Sequence, residues 1–205
     1  MNRPAGVAGI ITVTIMLACT HRDPYAIGEL RGTQLDSALP KPDFSLTATS
    51  GQSYEFAPET HGHLTLLLFG YTNCPDVCPI HMANLAAVVH QLPPDIANQI
   101  KVVMVSTDPE RDSLHVLRKW LDKFDHKFVG LRGSLDEVNT IQRGLGLPPS
   151  VRLSTQTDYD VGHAAQVIAF TRDDSAHVVY PFGTRQSDWA HDLPLLLRSF
   201  GATQP

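Results

Sequence analysis

Blocks of apolar residues alternate along this chain with polar, turn-rich stretches, and their period switches between strand-like and helix-like. Leu64 to Phe69 is an almost unbroken apolar run of strand length, the pattern of a strand covered on both faces. Met82, Leu85, Ala86, Val89 and Leu92 then recur at helical spacing up to Pro93-Pro94, with Pro79 in the place of a first-turn proline. Ile100 to Ser106 predicts a second, valine-rich strand. In T-D-P-E-R-D, residues 107–112, Asp108 has the position of a helix cap and Pro109 that of the first turn, and Leu114, Leu117, Trp120, Leu121 and Phe124 form the inward face. Ser134 and Glu137 have capping-box spacing and open a helix that ends near Gly144 and Gly146. Residues 147–158 read as a loop. Ala165 to Thr171 and His177 to Phe182 read as strands joined by the turn R-D-D-S. Ser187 or Asp188 starts a last helix through Trp189, Leu193, Leu196, Leu197 and Phe200, where Pro194 introduces a kink or a later start. Upstream, Phe44 to Phe56 alternates weakly around Ser50-Gly51, a hairpin signal. The sum is an α/β protein: a central mixed sheet with helices on both faces and an N-terminal hairpin extension.

The first segment stands apart. Val7 to Ala18 is charge-free and mostly apolar, follows a single positive side chain (Arg3), and is short for a membrane span. It ends in I-M-L-A-C, residues 15–19, which resembles the lipobox of bacterial lipoproteins with Met16 where leucine is usual. Residues 1–18 are therefore read as a signal or anchor and Cys19 as a lipidation candidate, with an uncleaved anchor and an ordinary cleaved signal as alternatives. Each of these exports the rest of the chain, to the periplasm or the outer side of the cytoplasmic membrane. Residues 19–41, with Pro24, Gly28, Gly32 and Pro40, read as a flexible tether, and 42–203 as the folded domain.

Composition narrows the chemistry. The 205 residues are 42% hydrophobic and 18% charged, enough for one domain with a full core plus a tail. A net charge of −5, with no cluster of Lys and Arg, argues against nucleic-acid binding. Three cysteines, Cys19, Cys74 and Cys78, are too few for a disulfide scaffold or a four-ligand structural zinc site.

Cys74 and Cys78 lie in F-G-Y-T-N-C-P-D-V-C-P-I-H-M, directly after the first predicted strand. A strand that opens through a loop into a helix can set two sulfurs at a helix N-terminus, where unpaired N–H groups and the dipole favour thiolate. Their spacing puts both on one helical face, one turn apart. Such a pair can exchange disulfides, hold a soft ion such as copper(I), or form a structural disulfide, whose very small loop adds little stability. A copper site needs a third donor. Among ten histidines, His61 and His63 read as exposed, and His90, His115, His126, His177 and His191 have no partner ligand nearby in sequence. His81, three residues after Cys78, and His163, in D-Y-D-V-G-H-A-A before a predicted strand, remain; spacing alone favours His81.

Residues 69–79, F-G-Y-T-N-C-P-D-V-C-P, resemble the copper-site motif of the Sco/SenC family. V-S-T-D-P-E-R-D, residues 105–112, resembles that family's next signature, and D-Y-D-V-G-H, 158–163, its histidine segment. The resemblance runs in family order from about Pro42 to the C-terminal helix. It implies a thioredoxin-like fold, an N-terminal membrane anchor, and copper, as Cu(I) or Cu(II), held by Cys74, Cys78 and His163, with His81 a neighbour. It also implies service to the dinuclear copper centre of cytochrome c oxidase subunit II. Two functions follow: a metallochaperone for that subunit or another exported copper or thiol client, or a thiol-disulfide oxidoreductase in which Cys74 and Cys78 are the redox-active pair. An inert interaction module is the third reading. The chain departs from the family at Gly162 and Ala164, where Asp and Ser are usual, and Asp160 is a candidate replacement partner for the imidazole.

Overall fold

The computed structural model describes residues 30–154 and 158–199. The signal or anchor segment, Cys19 and Phe200 lie outside the described residues. In order, the elements are β1 (Thr33–Pro40), β2 (Ser45–Ala48), β3 (Ser53–Glu55), α1 (Phe56–Thr60), β4 (Leu64–Gly70), α2 (Val77–Gln91), α3 (Pro94–Ala97) and β5 (Ile100–Ser106). There follow α4 (Leu114–Leu121), β6 (Val129–Arg132), α5 (Leu135–Gly144), β7 (Val151–Arg152), β8 (Val161–Gly162), β9 (Val167–Phe170), β10 (Ser175–Tyr180) and α6 (Gln186–Ser199).

Eight strands form one mixed sheet in the order β1-β10-β9-β4-β5-β6-β2-β3, and β7 and β8 make a separate ribbon. At its centre β4 runs parallel to β5 and antiparallel to β9. Leu64, Leu66 and Leu68 pack on one face with Met82 and Leu85 of α2, Leu117 of α4 and Trp189 and Leu193 of α6. Leu67 and Phe69 pack on the other with Phe56 of α1 and Val138 of α5. Cover on both faces explains the nearly continuous apolar run of β4, all seven residues of which are buried. The expected hairpin is β2–β3, which joins the sheet edge through β6.

Several elements differ from expectation. Residues 33–40, within the stretch read as a tether, form β1. It pairs antiparallel with β10, buries Leu35 and Leu39 partly against the core, and ends at Pro40 on a sheet edge, where a proline costs no ladder bond. Asp108 does not cap α4. Ser113 does, its hydroxyl accepting the Val116 N–H at 3.2 Å. Residues 108–112 form a tight turn instead, with the Asp112 N–H donating to the Asp108 carbonyl at 2.9 Å, because both carboxylates are engaged elsewhere. α5 has the expected capping box between Ser134 and Glu137, and α6 runs through Pro194. Among the described residues, no helix is long and apolar enough to cross a membrane.

Candidate metal centre

The centre lies at the C-terminal ends of β4 and β5, where open α/β sheets place their ligands. After Gly70 the chain turns through Tyr71 to Asp76, and α2 begins at Val77 with Asp76 as its cap, the carboxylate accepting the Val77 N–H at 2.7 Å. Cys74 therefore precedes the helix and only Cys78 is helical, contrary to the one-turn spacing expected. The sulfurs meet because the loop folds back. The Cys74 N–H donates to the Tyr71 carbonyl at 3.2 Å, and the Cys78 N–H to Cys74 Sγ at 3.4 Å. Both cysteines are free thiols and buried, with exposures of 8% for Cys74 and 1% for Cys78.

Gly70 is required here by close approach. A β-carbon on it would lie inside ordinary contact with Cys78 Sγ. Asp112, fully buried, fixes the start of the cysteine loop: it accepts the Thr72 N–H and the hydroxyls of Thr72 and Ser106, both at 2.6 Å. Burial, only partly offset by these bonds, pushes its carboxyl up.

His163 comes from the loop before the strand that lies next to β4. β8 pairs with β7, and the chain then enters β9, the antiparallel neighbour of β4. The His163 Nδ1–H donates to the Ala164 carbonyl at 2.9 Å, which turns Nε2 toward the cysteines, 3.9 Å from Cys74 Sγ and 3.7 Å from Cys78 Sγ. The residues flanking His163 thus need no carboxylate. A backbone carbonyl orients the ring, and Asp160 does not serve as the replacement partner; it accepts the Tyr71 hydroxyl at 3.4 Å. Gly162 leaves room for β7, since a β-carbon there would lie 3.3 Å from Leu153 and 3.4 Å from Val151.

Tyr71, which the sequence reading passed over, ties the two loops together. Its ring meets the His163 ring edge-on at 5.6 Å, and its hydroxyl accepts the Val161 N–H at 3.3 Å. Tyr159 holds the same loop from below: its hydroxyl donates to Asp108 at 2.8 Å, and its ring lies 3.7 Å from each of the Arg111 and Arg152 guanidiniums. Asp108 also pairs with Arg111. The signal for these partners was already present, since Tyr71, Asp108, Arg111, Asp112 and Tyr159 all fall inside the three motifs.

His81 is buried but points away, its Nε2–H donating to the Ala165 carbonyl at 2.9 Å between the rings of Phe182 and Trp189. Burial pulls its pKa down. It is a neighbour and not part of the donor set.

The electrostatics are asymmetric. The Cys78 thiol donates to Cys74, the largest of several effects that draw the Cys74 thiol down to about 4 against the opposing effect of burial; His163 and the N–H groups of Cys78 and Asp76 add to it. That same bond, then burial, pushes Cys78 up. The pair thus keeps one proton, on Cys78. Burial is the largest single effect on His163 and disfavours its charged form, but the Cys74 sulfur and the carbonyls of Ala164 and Phe69 together outweigh it and the pKa rises. The centre thus sets a Cys74 thiolate beside the buried Cys78 thiol, within reach of the His163 imidazole.

Cys74, Cys78 and His163 form the one group of three or more His, Cys, Asp or Glu residues, among the described residues, whose donor atoms all lie within 4.8 Å of one another. An ion bound at about 2.3 Å to sulfur and about 2.0 Å to nitrogen, with ligands spread trigonally, separates S from N by about 3.7 Å. The two S–N distances already match. Cys74 and His163 line an open cavity of about 240 Å³ with Tyr71, Asp76 and Asp160, and Cys78 lies buried behind them.

Fold and site together define an α/β protein of the thioredoxin-like class with an open, three-donor Cys2His centre. Residues 32–198 match the SCO1/SenC family, and the chain belongs to it. The mitochondrial SCO2 homologue of Danio rerio is 33% identical over 145 residues, covering 70% of this chain and 51% of that protein. The chain spans about half the length of the curated relatives it matches. Apo Sco1 of Thermus thermophilus superposes with a TM-score of 0.73 at 28% identity, over 84% of this chain and 99% of that one. ScoI of Bradyrhizobium japonicum, solved with copper bound, has a TM-score of 0.68 at 26% identity, over 77% and 99%.

Proposed function

We propose that this protein binds copper through Cys74, Cys78 and His163 and hands it to the dinuclear copper centre of cytochrome c oxidase subunit II. The observation that carries this reading is the donor set itself, with His163 Nε2 3.9 Å and 3.7 Å from the two sulfurs. Two sulfurs favour copper(I), and the imidazole makes copper(II) accessible as well. An open three-donor site suits a cargo ion: incoming cysteine or histidine ligands reach it through the mouth and replace its donors one at a time. The N-terminal sequence supports export and anchoring, with Cys19 as the lipidation site.

The thiolate at Cys74 favours a second reading on the same residues, reduction of a client disulfide. Cys74 Sγ attacks one client sulfur, and the other leaves as a thiolate that takes up a proton. Cys78 then loses its proton and attacks Cys74 Sγ, which forms the Cys74–Cys78 disulfide and releases the second client thiol. The client gains two electrons and the pair loses two.

Anaerobic copper titration of the reduced protein, followed by absorption and ligand spectroscopy, tests the first reading when repeated on Cys74→Ser, Cys78→Ser and His163→Ala. One copper per chain with both sulfur and imidazole ligands is expected, and each substitution weakens it. Unchanged copper affinity in His163→Ala overturns the site.

A further inference from the structure

His90 and His126 have no partner ligand near them in sequence, yet the fold brings them to one carboxylate. His90, in the last turn of α2, lies with Nε2 2.9 Å from Asp125 Oδ2, 35 residues away. His126 Nδ1 lies 3.6 Å from Asp125 Oδ1. All three line a cavity of about 280 Å³ beside Ile100 and Val102 at the start of β5. That is the opposite end of the sheet from Cys74, about 20 Å away along a seven-residue strand.

We propose that His90, Asp125 and His126 form a second metal site, for a divalent ion that favours imidazole and carboxylate donors, zinc or copper(II). The two imidazoles flank the two oxygens of one carboxylate, His90 at Oδ2 and His126 at Oδ1, so a small shift of either ring lets one ion replace the proton between ring and carboxylate. The carboxylate is held in place. Its side chain is 5% exposed, Oδ1 accepts the Lys127 N–H at 2.8 Å, and Arg118 donates to the Asp125 carbonyl at 3.4 Å. Partners of this kind orient a ligand. The Lys127 ammonium is directed to Asn98 at 3.2 Å. His126 must turn to close the site, since its Nδ1 faces Oδ1 whereas His90 Nε2 faces Oδ2. That rotation is cheap because its side chain is 82% exposed. On binding, the ion takes the place at His90 Nε2 and the ring carries its single proton on Nδ1. The ion then links the end of α2 to the turn that leads into β6.

The test is zinc titration of the full-length chain carrying Cys74→Ser, Cys78→Ser and His163→Ala, by calorimetry and by thermal melting with and without zinc at neutral pH. Melting without zinc reports that this background is folded. One zinc per chain and a raised melting temperature are expected. Adding His126→Ala or His90→Ala then weakens binding by about tenfold or more and abolishes the shift. A background that binds no zinc, or binding that neither histidine substitution changes, overturns the proposal.

Discussion

Replacing Gly70 with alanine tests the centre without touching a ligand. The added β-carbon falls closer than 3.0 Å to Cys78 Sγ and 3.3 Å from Met104 Cε. Restoring an ordinary separation of about 3.5–4.0 Å requires the sulfur to retreat by about 1 Å. Cys78 is 1% exposed, so the retreat compresses its neighbours. Overpacking of this kind costs about 1–3 kcal/mol, against which the gain from replacing a strand glycine is about 0.5–1 kcal/mol. Ligand positions in a metal site tolerate about 0.2 Å, so a displacement of 1 Å breaks the trigonal fit to His163 Nε2. Gly70→Ala is therefore expected to lose about 1–2 kcal/mol in urea unfolding and about tenfold or more in copper affinity by chelator competition. Gly144→Ala, whose β-carbon meets nothing within 4 Å, serves as the control and leaves both unchanged or slightly improved. Wild-type affinity in folded Gly70→Ala would show that Cys78 Sγ is not held against β4 as described.

His163→Ala should weaken copper binding at least about tenfold and leave the rate of exchange with a small disulfide within a few-fold, because a dithiol needs no imidazole ligand; equal losses in both assays would refute the separation. Iodoacetamide labelling of the reduced protein should stay fast at mildly acid pH and fall as the pH drops through about 4, where Cys74 titrates. The same group links to stability. Its folded pKa lies below the unfolded one, so its contribution is present at higher pH and is lost as the pH falls toward 4. His163, with its pKa raised, acts in the opposite sense, contributing below the unfolded imidazole pKa and losing that contribution as pH rises through the folded value. The uncancelled window is thus about pH 4 to 6.5, where reduced wild type should gain up to about 1.4 kcal/mol per pH unit over Cys74→Ser; parallel unfolding profiles for the two would refute the thiolate. Tyr71→Phe removes the acceptor for the Val161 N–H and the bond to Asp160, and should cost about 1 kcal/mol in stability and weaken copper binding, with both sulfurs still reactive toward iodoacetamide.

What the sequence disclosed depends on how local each feature is. β4, β5 and the capping box of α5 were legible because strand runs and caps are written in neighbouring residues. β6 was missed because four residues containing Gly130 carry no period, and its burial is supplied by β5 and β2. β1 was missed because its pairing with β10 lies far along the chain and only two of its leucines face inward. Asp108 fitted a cap by its position before Pro109, and what took its carboxylate, Tyr159, is 51 residues away. Spacing pointed to His81, and only the motif resemblance singled out His163. Helix direction sends His81 to the Ala165 carbonyl, whereas the β8–β9 connection delivers His163 to the sulfurs. Ala164 could not be read as the partner that orients the imidazole because it contributes a backbone carbonyl, which any residue there would offer.

Cys74 and His163 stand 89 positions apart, and they meet only once β9 has docked against β4. A ribosome making about 5–20 residues per second therefore completes the two sulfurs some seconds before the imidazole exists. Until that late, non-local pairing forms, the emerging chain carries a bare dithiol with neither its imidazole neighbour nor its shelter. For that interval the two sulfurs are open to oxidation or to any soft ion they meet, and only the last strands of the domain close the pocket over them.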